Sequence, residues 1–487
     1  MAVSLEAATR GRRVSEAVSM KTLSTSVVLA MAVEVILVSA QAPSQKPAPV
    51  VAVATNIPYL DAKPILDTLR EDLLPAELRA KTPKEIESAW PGWVSQHDAK
   101  IRARLERGDE DSIVNLLLFG VTFTNQPRTK AQDILTLAAQ GRSAEILQGR
   151  IVQGRVEDMV AAVASPGANE RLQFARQVVE RKGIDPTKPA GKNQVRRYLD
   201  EEMTRVFAEY EAYARAPKPS LRFDDRGLSS DTSIFSDFAI EQALEAIKSG
   251  GILGAGSIRS VAIVGPGLDF TDKLEGYDFY AQQTFQPFAV IDSLIRLGLA
   301  RSDDLRVTTF DLSLRINQHL EAARERARAG GSYVLQLPLE ANLRLNPDLV
   351  KYWKRFGDRV GEEAQAVRLP SGVGSVQLRA VRVPPAVVMA IVPRDLNIVL
   401  QRLEPLAADE RFDLIIATNI LIYYDVFEQS LALANVAKML RPGGFLLSNN
   451  NPTFILPTTP MDVVGGTDVV YSDQVNDKDR LVWCRRR

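Results

Sequence analysis

Between residues 259 and 450, short apolar runs rich in β-branched residues alternate with helical segments, and that order leaves few folds open. RSVAIV (259–264) precedes PFAVIDSLIRLGL, with Pro287 in the first helical turn and Gly298 at its end. RVTTFD, ending at Asp311, precedes the charged helix QHLEAARERARAGG. FDLIIATN (412–419), the helix FEQSLALANVAKML and the strand GGFLLSNN complete the series. Strands that take turns with helices pair in parallel and are covered on both faces, which predicts a doubly wound α/β sheet. TDVVY and DRLVWCRR close the chain as a hairpin, so the final strand enters that sheet antiparallel.

The first half has a different texture. Val195, Tyr198, Leu199, Met203, Val206, Phe207 and Tyr210 recur at three- and four-residue intervals, the mark of one buried helix face. Residues 111–119 read as a short buried helix stopped by Gly120, and Pro127, Pro166, Pro186 and Pro189 divide the stretch further. The expected organisation is an all-α domain over 50–216, a Pro- and Gly-containing connector over 217–229, and the α/β domain over 230–487.

Residues 1–49 stand apart. From Met20 the chain carries an early Lys21, an apolar run Val27 to Val38 and the triplet Ala40-Gln41-Ala42, the layout of a secretory signal peptide. The run falls short of the roughly 20 apolar residues a membrane span needs, so the mature chain is expected to lack a stable transmembrane segment. Glu34 interrupts the run, and the alternative is an apolar helix docked on the protein. Export to the periplasm follows from the first alternative and a cytoplasmic location from the second. Pro43, Pro47 and Pro49 form an extended linker.

Composition narrows the chemistry. Sixty basic residues balance sixty acidic ones, so no general nucleic-acid binder is expected. One cysteine, Cys484, forbids an intrachain disulfide, and two histidines, His97 and His319, leave too few ligands for a Cys/His metal site. Both histidines are expected to pack or to be solvated. Chemistry here must run on carboxylates, amides, hydroxyls, backbone groups or a bound cofactor.

In a doubly wound sheet ligands bind beyond the carboxyl ends of the strands. The first strand end is Gly265-Pro266-Gly267-Leu268-Asp269, where two glycines allow close backbone approach and Asp269 offers a carboxylate; the third glycine of a dinucleotide fingerprint is absent because position 270 is Phe. A tight turn and a ligand loop are both open. The second is Asp311, either a helix cap or an acceptor for a ribose diol. The third is Asn419, followed by Tyr423 and Tyr424, which either stack on a ring or fill the core.

This ordered set resembles the class I S-adenosylmethionine-dependent methyltransferases, and ATNILIYYD is similar to the corresponding stretch of the CheR-type protein-glutamate methyltransferases. The resemblance covers residues 230–487. It implies a Rossmann-like sheet with an antiparallel final strand and S-adenosylmethionine as cofactor. By it, Gly265, Gly267 and Asp269 line the methionine end, Asp311 holds the ribose and Asn419 borders the transferred methyl group. Asp395 or Asn397, in VPRDLNIVL, stands beside the adenine. Tyr280, Gln283 and Gln286 belong either to the pocket or to a surface lid. An insertion over 339–380 departs from the family. The helical domain does not match the CheR substrate domain, so the methyl acceptor stays open, a small molecule or a protein side chain. In-line methyl transfer needs alignment more than a base, which suits a chain nearly free of histidine. Two rivals stand beside this expectation: a non-catalytic exported binding or scaffold protein that keeps the fold, and a dinucleotide-dependent oxidoreductase that lacks the full glycine fingerprint.

Overall fold

The computed structural model describes residues 52–215, 226–269, 277–340, 344–371, 373, 376–449, 455–473 and 477–487. The signal-like segment, its Pro-rich linker, and Pro217 and Pro219 lie outside the described residues.

Seven strands form the central sheet: β2 (Ser260–Val264), β3 (Arg306–Asp311), β7 (Ile391–Asp395), β9 (Phe412–Ala417), β10 (Leu440–Ser448), β11 (Met461–Val470) and β12 (Lys478–Arg486). The remaining strands are β1 (Val53–Asn56), β4 (Tyr333–Glu340), β5 (Glu362–Ala364), β6 (Val376–Val383) and β8 (Gln401–Glu404). The sheet order is β11-β12-β10-β9-β2-β3-β7. β10, β9, β2, β3 and β7 run parallel, and β12 pairs antiparallel with both β10 and β11. This is the expected doubly wound α/β sheet with its antiparallel final strand.

Both faces of the central strands are buried, which explains their unbroken apolar sequence. Val261 and Ile263 of β2, with Leu414 and Ile416 of β9, enter one core beneath α8 (Ile234–Ser249), α9 (Gln286–Arg296) and α10 (Leu314–Arg328). Ala262, Val264, Ile415 and Ala417 point the other way, towards α13 (Val426–Met439).

The amino-terminal stretch is not wholly helical, because β1 pairs antiparallel with β8. Its helices are α1 (Tyr59–Thr68), α2 (Pro83–Phe119), α3 (Ala131–Ala139), α4 (Ser143–Leu147), α5 (Arg150–Ala164), α6 (Glu170–Arg181) and α7 (Pro189–Arg215). The expected short helix over 111–119 is only the end of α2, whose 37 residues span about 55 Å at 1.5 Å each. A capping box starts it: Glu85 N donates to Thr82 Oγ1 at 3.4 Å and Thr82 N to Glu85 Oε2 at 2.8 Å, with Pro83 in the first turn. Pro91 removes one internal N–H, but the stacked rings of Trp90 and Trp93 anchor that turn in the core shared with β9 and α13. His97 continues the stack on Trp93 at 4.5 Å, and its Nε2 lies 2.8 Å from Glu428 Oε1. Farther along, Ile113, Val114 and Leu116 to Phe119 form a separate core with α5, α6 and α7. One helix thus belongs to two cores, and residues 52–101 pack as a layer of the α/β part.

The insertion is also ordered where described. β4, β6 and β5 make a small antiparallel sheet, with α11 (Pro347–Arg355) between β4 and β5 and α12 (Pro385–Met389) leading into β7. Leu335, Leu337, Tyr352 and Phe356 join it to the core under α8 and α9.

Candidate functional site

The sheet direction switches between β2 and β9, since successive strands β3 and β7 lie on one side of β2 and β9 and β10 on the other. A cavity of about 330 Å³ opens at the carboxyl ends of these two strands. Gly265 and Gly267 border it from β2, Asp311 from β3, Thr418, Asn419 and Ile420 from β9, and Gln286 from the start of α9. A smaller apolar cavity of about 60 Å³ adjoins it through Ser229, Ser230, Gly265, Asp311, Ile420 and Tyr423. Leu105, Leu228, Phe310, Leu396, Ile398 and Tyr424 line that end. The two form one cleft, apolar at one end and polar at the other, with a carboxylate at the junction.

Four of the expected residues, Gly265, Gly267, Asp311 and Asn419, meet at this cavity. Gly265 adopts φ +66°, and a Cβ on it would lie 2.3 Å from Ile420 Cδ1. Asp311 Oδ1 accepts from Ser313 N at 2.8 Å, so the carboxylate both ties down the turn that leads into α10 and borders the cleft. Asn419 is held at φ 57°, which Asn tolerates better than most residues. Its Nδ2 donates to Ser236 Oγ at 3.2 Å, and Asn449 Oδ1 accepts from its backbone N at 2.8 Å.

Three others sit elsewhere. Asp395 is exposed and receives Arg102 Nη2 at 2.8 Å. Asn397 is buried, its Nδ2 donating to Asp98 Oδ1 at 2.7 Å and its Oδ1 accepting from Val399 N at 3.1 Å. Neither lines the cleft; the residues between and after them, Leu396 and Ile398, do. Asp269 is buried beside a separate small pocket, where its Oδ2 accepts from Tyr280 Oη at 2.7 Å and Gln283 Nε2 at 2.9 Å. Arg171 of α6 reaches across to donate to the backbone oxygen of Asp269 at 2.8 Å. Tyr280 and Gln283 are therefore buried ties for the loop after β2, while Gln286 alone of that trio reaches the cleft. Gln286 Nε2 donates to Thr418 Oγ1 at 3.0 Å, and its Oε1 is buried with no partner among the described residues.

Sequence reasoning missed the rest of the wall. Asp111 and Asn115 stand one turn apart on α2, and Val206 and Tyr210 one turn apart on α7. Residues 226–233 supply Arg226, Ser229, Ser230, Asp231, Thr232 and Ser233. The polar run SSDTS before α8 was the available signal.

Burial governs the titration of these groups. It raises the Asp311 carboxyl to about 7, against the help of the Ser313 N–H and the Arg315 charge. Burial likewise raises Asp111, opposed by its ion pair with Arg205, and raises the Tyr423 and Tyr424 phenols. His319 is pushed down to about 4 by burial and by the charges of Arg326 and Arg315. Its Nε2 lies 2.7 Å from Tyr333 Oη, which also accepts from Thr284 N at 2.9 Å, so neutral His319 accepts the Tyr333 proton. The folded state prefers neutral His319; that preference costs nothing above the ordinary value of 6.5 and destabilises the fold as pH falls from 6.5 to 4. His319→Gln keeps an acceptor that does not titrate. Its urea midpoint is expected to fall less than that of the unmutated protein between pH 7 and pH 4.5, and an equal fall in both would contradict the assignment.

Among solved structures the chain is similar to the N-methyltransferase NodS from Bradyrhizobium japonicum WM9 in complex with S-adenosyl-l-homocysteine, at 14% identity and TM-score 0.24, over 52% of this chain and 84% of that one. It is similar to magnesium protoporphyrin IX methyltransferase (ChlM) from Synechocystis PCC 6803 with bound SAM, at 10% identity and TM-score 0.25, over 56% and 88%. The glycopeptide N-methyltransferase MtfA matches at 13% identity and TM-score 0.24, over 52% and 95%. No family model and no curated protein matches the chain. No helix among the described residues is long and apolar enough to cross a membrane.

Proposed function

We propose that the chain is an S-adenosylmethionine-dependent methyltransferase. The observation that carries this is the polarity of the cleft at the switch point, which runs from apolar slot through carboxylate to polar chamber in the order of adenine, ribose and methionine. Leu396, Ile398 and Phe310 would hold the base by apolar contact. Asp311 would accept from both ribose hydroxyls, since its carboxylate offers lone pairs beyond the one given to Ser313. Gly265 and Gly267 let Ile420 and Thr232 close against the turn and so shape the wall of the cleft, and Gln286 Oε1, a buried acceptor in need of a donor, suits the amino group of the methionine part. Asn419 borders the polar chamber where the transferred methyl group would lie. When bound, the cofactor supplies an electrophilic methyl group on a sulfonium. The residues of the chain align the acceptor and exclude water.

Binding requires the ionised form of Asp311. Affinity for S-adenosylmethionine is expected to be level above about pH 7 and to fall about tenfold per unit below it, as the proton must be displaced. Titration calorimetry from pH 5.5 to 8.5 checks this, and a pH-independent affinity would exclude Asp311 as the ribose acceptor.

A further inference from the structure

The wall that α2 and residues 226–233 contribute to the cleft is acidic. Asp111 and Asp231 stand on it along with Asn115, and Arg226 is the one basic residue among the described residues lining the cavity. Arg226 Nε lies 3.3 Å from Glu209 Oε2, so its charge is already opposed. Behind the wall, Arg205 is shared among Asp111, Glu202 and Glu209 at 2.7, 2.7 and 2.9 Å. Arg205 takes Asp111 Oδ1; Asp111 Oδ2 receives no hydrogen bond among the described residues. The side-chain amide of Asn115, which borders the cavity, likewise makes no hydrogen bond among them.

A negatively charged wall with one carboxylate oxygen of Asp111 turned from its ion pair favours a ligand that donates hydrogen bonds and carries positive charge, and the Asn115 amide can accept from it. We infer that the methyl acceptor is an amine, held as an ammonium ion between Asp111 and Asn115; this rests on the proposed methyltransferase function. A carboxylate acceptor would face Asp111 and Asp231 with like charge. In the reaction the ammonium gives one proton to Asp111 Oδ2 and frees its lone pair. The N–C bond forms as the S–C bond of the donor breaks, and the sulfonium leaves as a neutral thioether. The aspartate later releases the proton to water. Burial already raises the affinity of Asp111 for that proton.

The test compares three probes of similar size: benzylamine, benzyl alcohol and benzoate. Each is titrated into the full chain at pH 7, once saturated with S-adenosylhomocysteine and once cofactor-free. Benzylamine is expected to bind at least tenfold more tightly than either of the others, and Asp111→Asn to remove that advantage. Because Asp111→Asn also loosens Arg205, Asn115→Lys serves as a second variant that leaves the ion pair intact; it should weaken benzylamine at least tenfold and improve benzoate. Benzoate or benzyl alcohol binding as tightly as benzylamine, no binding of any probe, or benzylamine affinity unchanged in both variants would overturn the inference. A chain that prefers benzylamine in the cofactor-free titration yet fails to bind S-adenosylhomocysteine would keep the amine site and lose the cofactor.

Discussion

Asp311→Ala is expected to weaken S-adenosylmethionine binding by at least about a hundredfold, because two hydrogen bonds to a charged acceptor contribute roughly 1.5–3 kcal/mol each. Asp311→Asn is the sharper variant. Its amide oxygen can still accept from Ser313 N, so the turn into α10 keeps its tie. What it loses is the second anionic oxygen for the diol, and affinity should fall at pH 8 nearly as far as in the alanine variant. What it gains is freedom from ionisation. Burial raises the folded-state value to about 7 from 3.8, so the folded protein binds the proton more tightly than the unfolded chain. That contribution is fully present below 3.8 and is lost as pH rises through 7. Without ligand, Asp311→Asn should therefore melt higher than the unmutated protein at pH 8, with the gain shrinking as pH falls below 7. A carboxylate that binds ligand would thus be one that costs stability, as sites often do. A variant that binds S-adenosylmethionine normally, or that melts lower at pH 8, would contradict this role.

Gly108→Ala is expected to destabilise the fold strongly. In the interior of an exposed helix this change stabilises by about 1 kcal/mol. Gly108, however, sits where residues 227–228 cross α2, and a Cβ there would lie 1.9 Å from the oxygen of Leu228. Gly227 faces it, and a Cβ on Gly227 would lie 2.4 Å from Gly108 N. The crossing is fixed by Leu228 N donating to Arg104 O at 3.1 Å and by Arg104 Nε donating to Arg226 O at 3.1 Å. Both sides of the contact are backbone, so neither can yield by rotating a side chain. Overpacking of this kind costs about 1–3 kcal/mol, occasionally more, and here it would also displace Ser229 to Ser233 from the cleft. Denaturant melts should show Gly108→Ala destabilised by about 3 kcal/mol, with weaker cofactor binding. An alanine variant as stable as the unmutated protein would show that the crossing is loose.

The sheet was legible because its central strands are buried on both faces, which forces continuous apolar sequence at Val261–Val264 and Leu414–Ala417. Strand ends were legible for the same reason, so Gly265, Asp311 and Asn419 were found where β2, β3 and β9 stop. Beyond β7 that guide fails. Polar Asp395 and Asn397 looked chemical, but Asp395, the last residue of β7, bonds to Arg102 and Asn397 just beyond it to Asp98, leaving apolar Leu396 and Ile398 against the cleft. Asp269 misled in a similar way, since partners fourteen residues on or fewer, Tyr280 and Gln283, claim its oxygen. The helical half hid more. α2 carries Pro91 and Gly108, two ordinary stop signals, yet runs through both because the Trp90–Trp93 stack and the Gly108–Gly227 crossing depend on distant chain. Asp111 and Asn115 could not be placed without that long-range packing.

Whether the cleft takes the methyl donor at all is decided by calorimetric titration of the unmutated full chain with S-adenosylmethionine at pH 7.5. Saturable binding at one site per chain, lost in Asp311→Ala, is the expected result. Absence of measurable affinity in a folded, unmutated protein would contradict the proposed function.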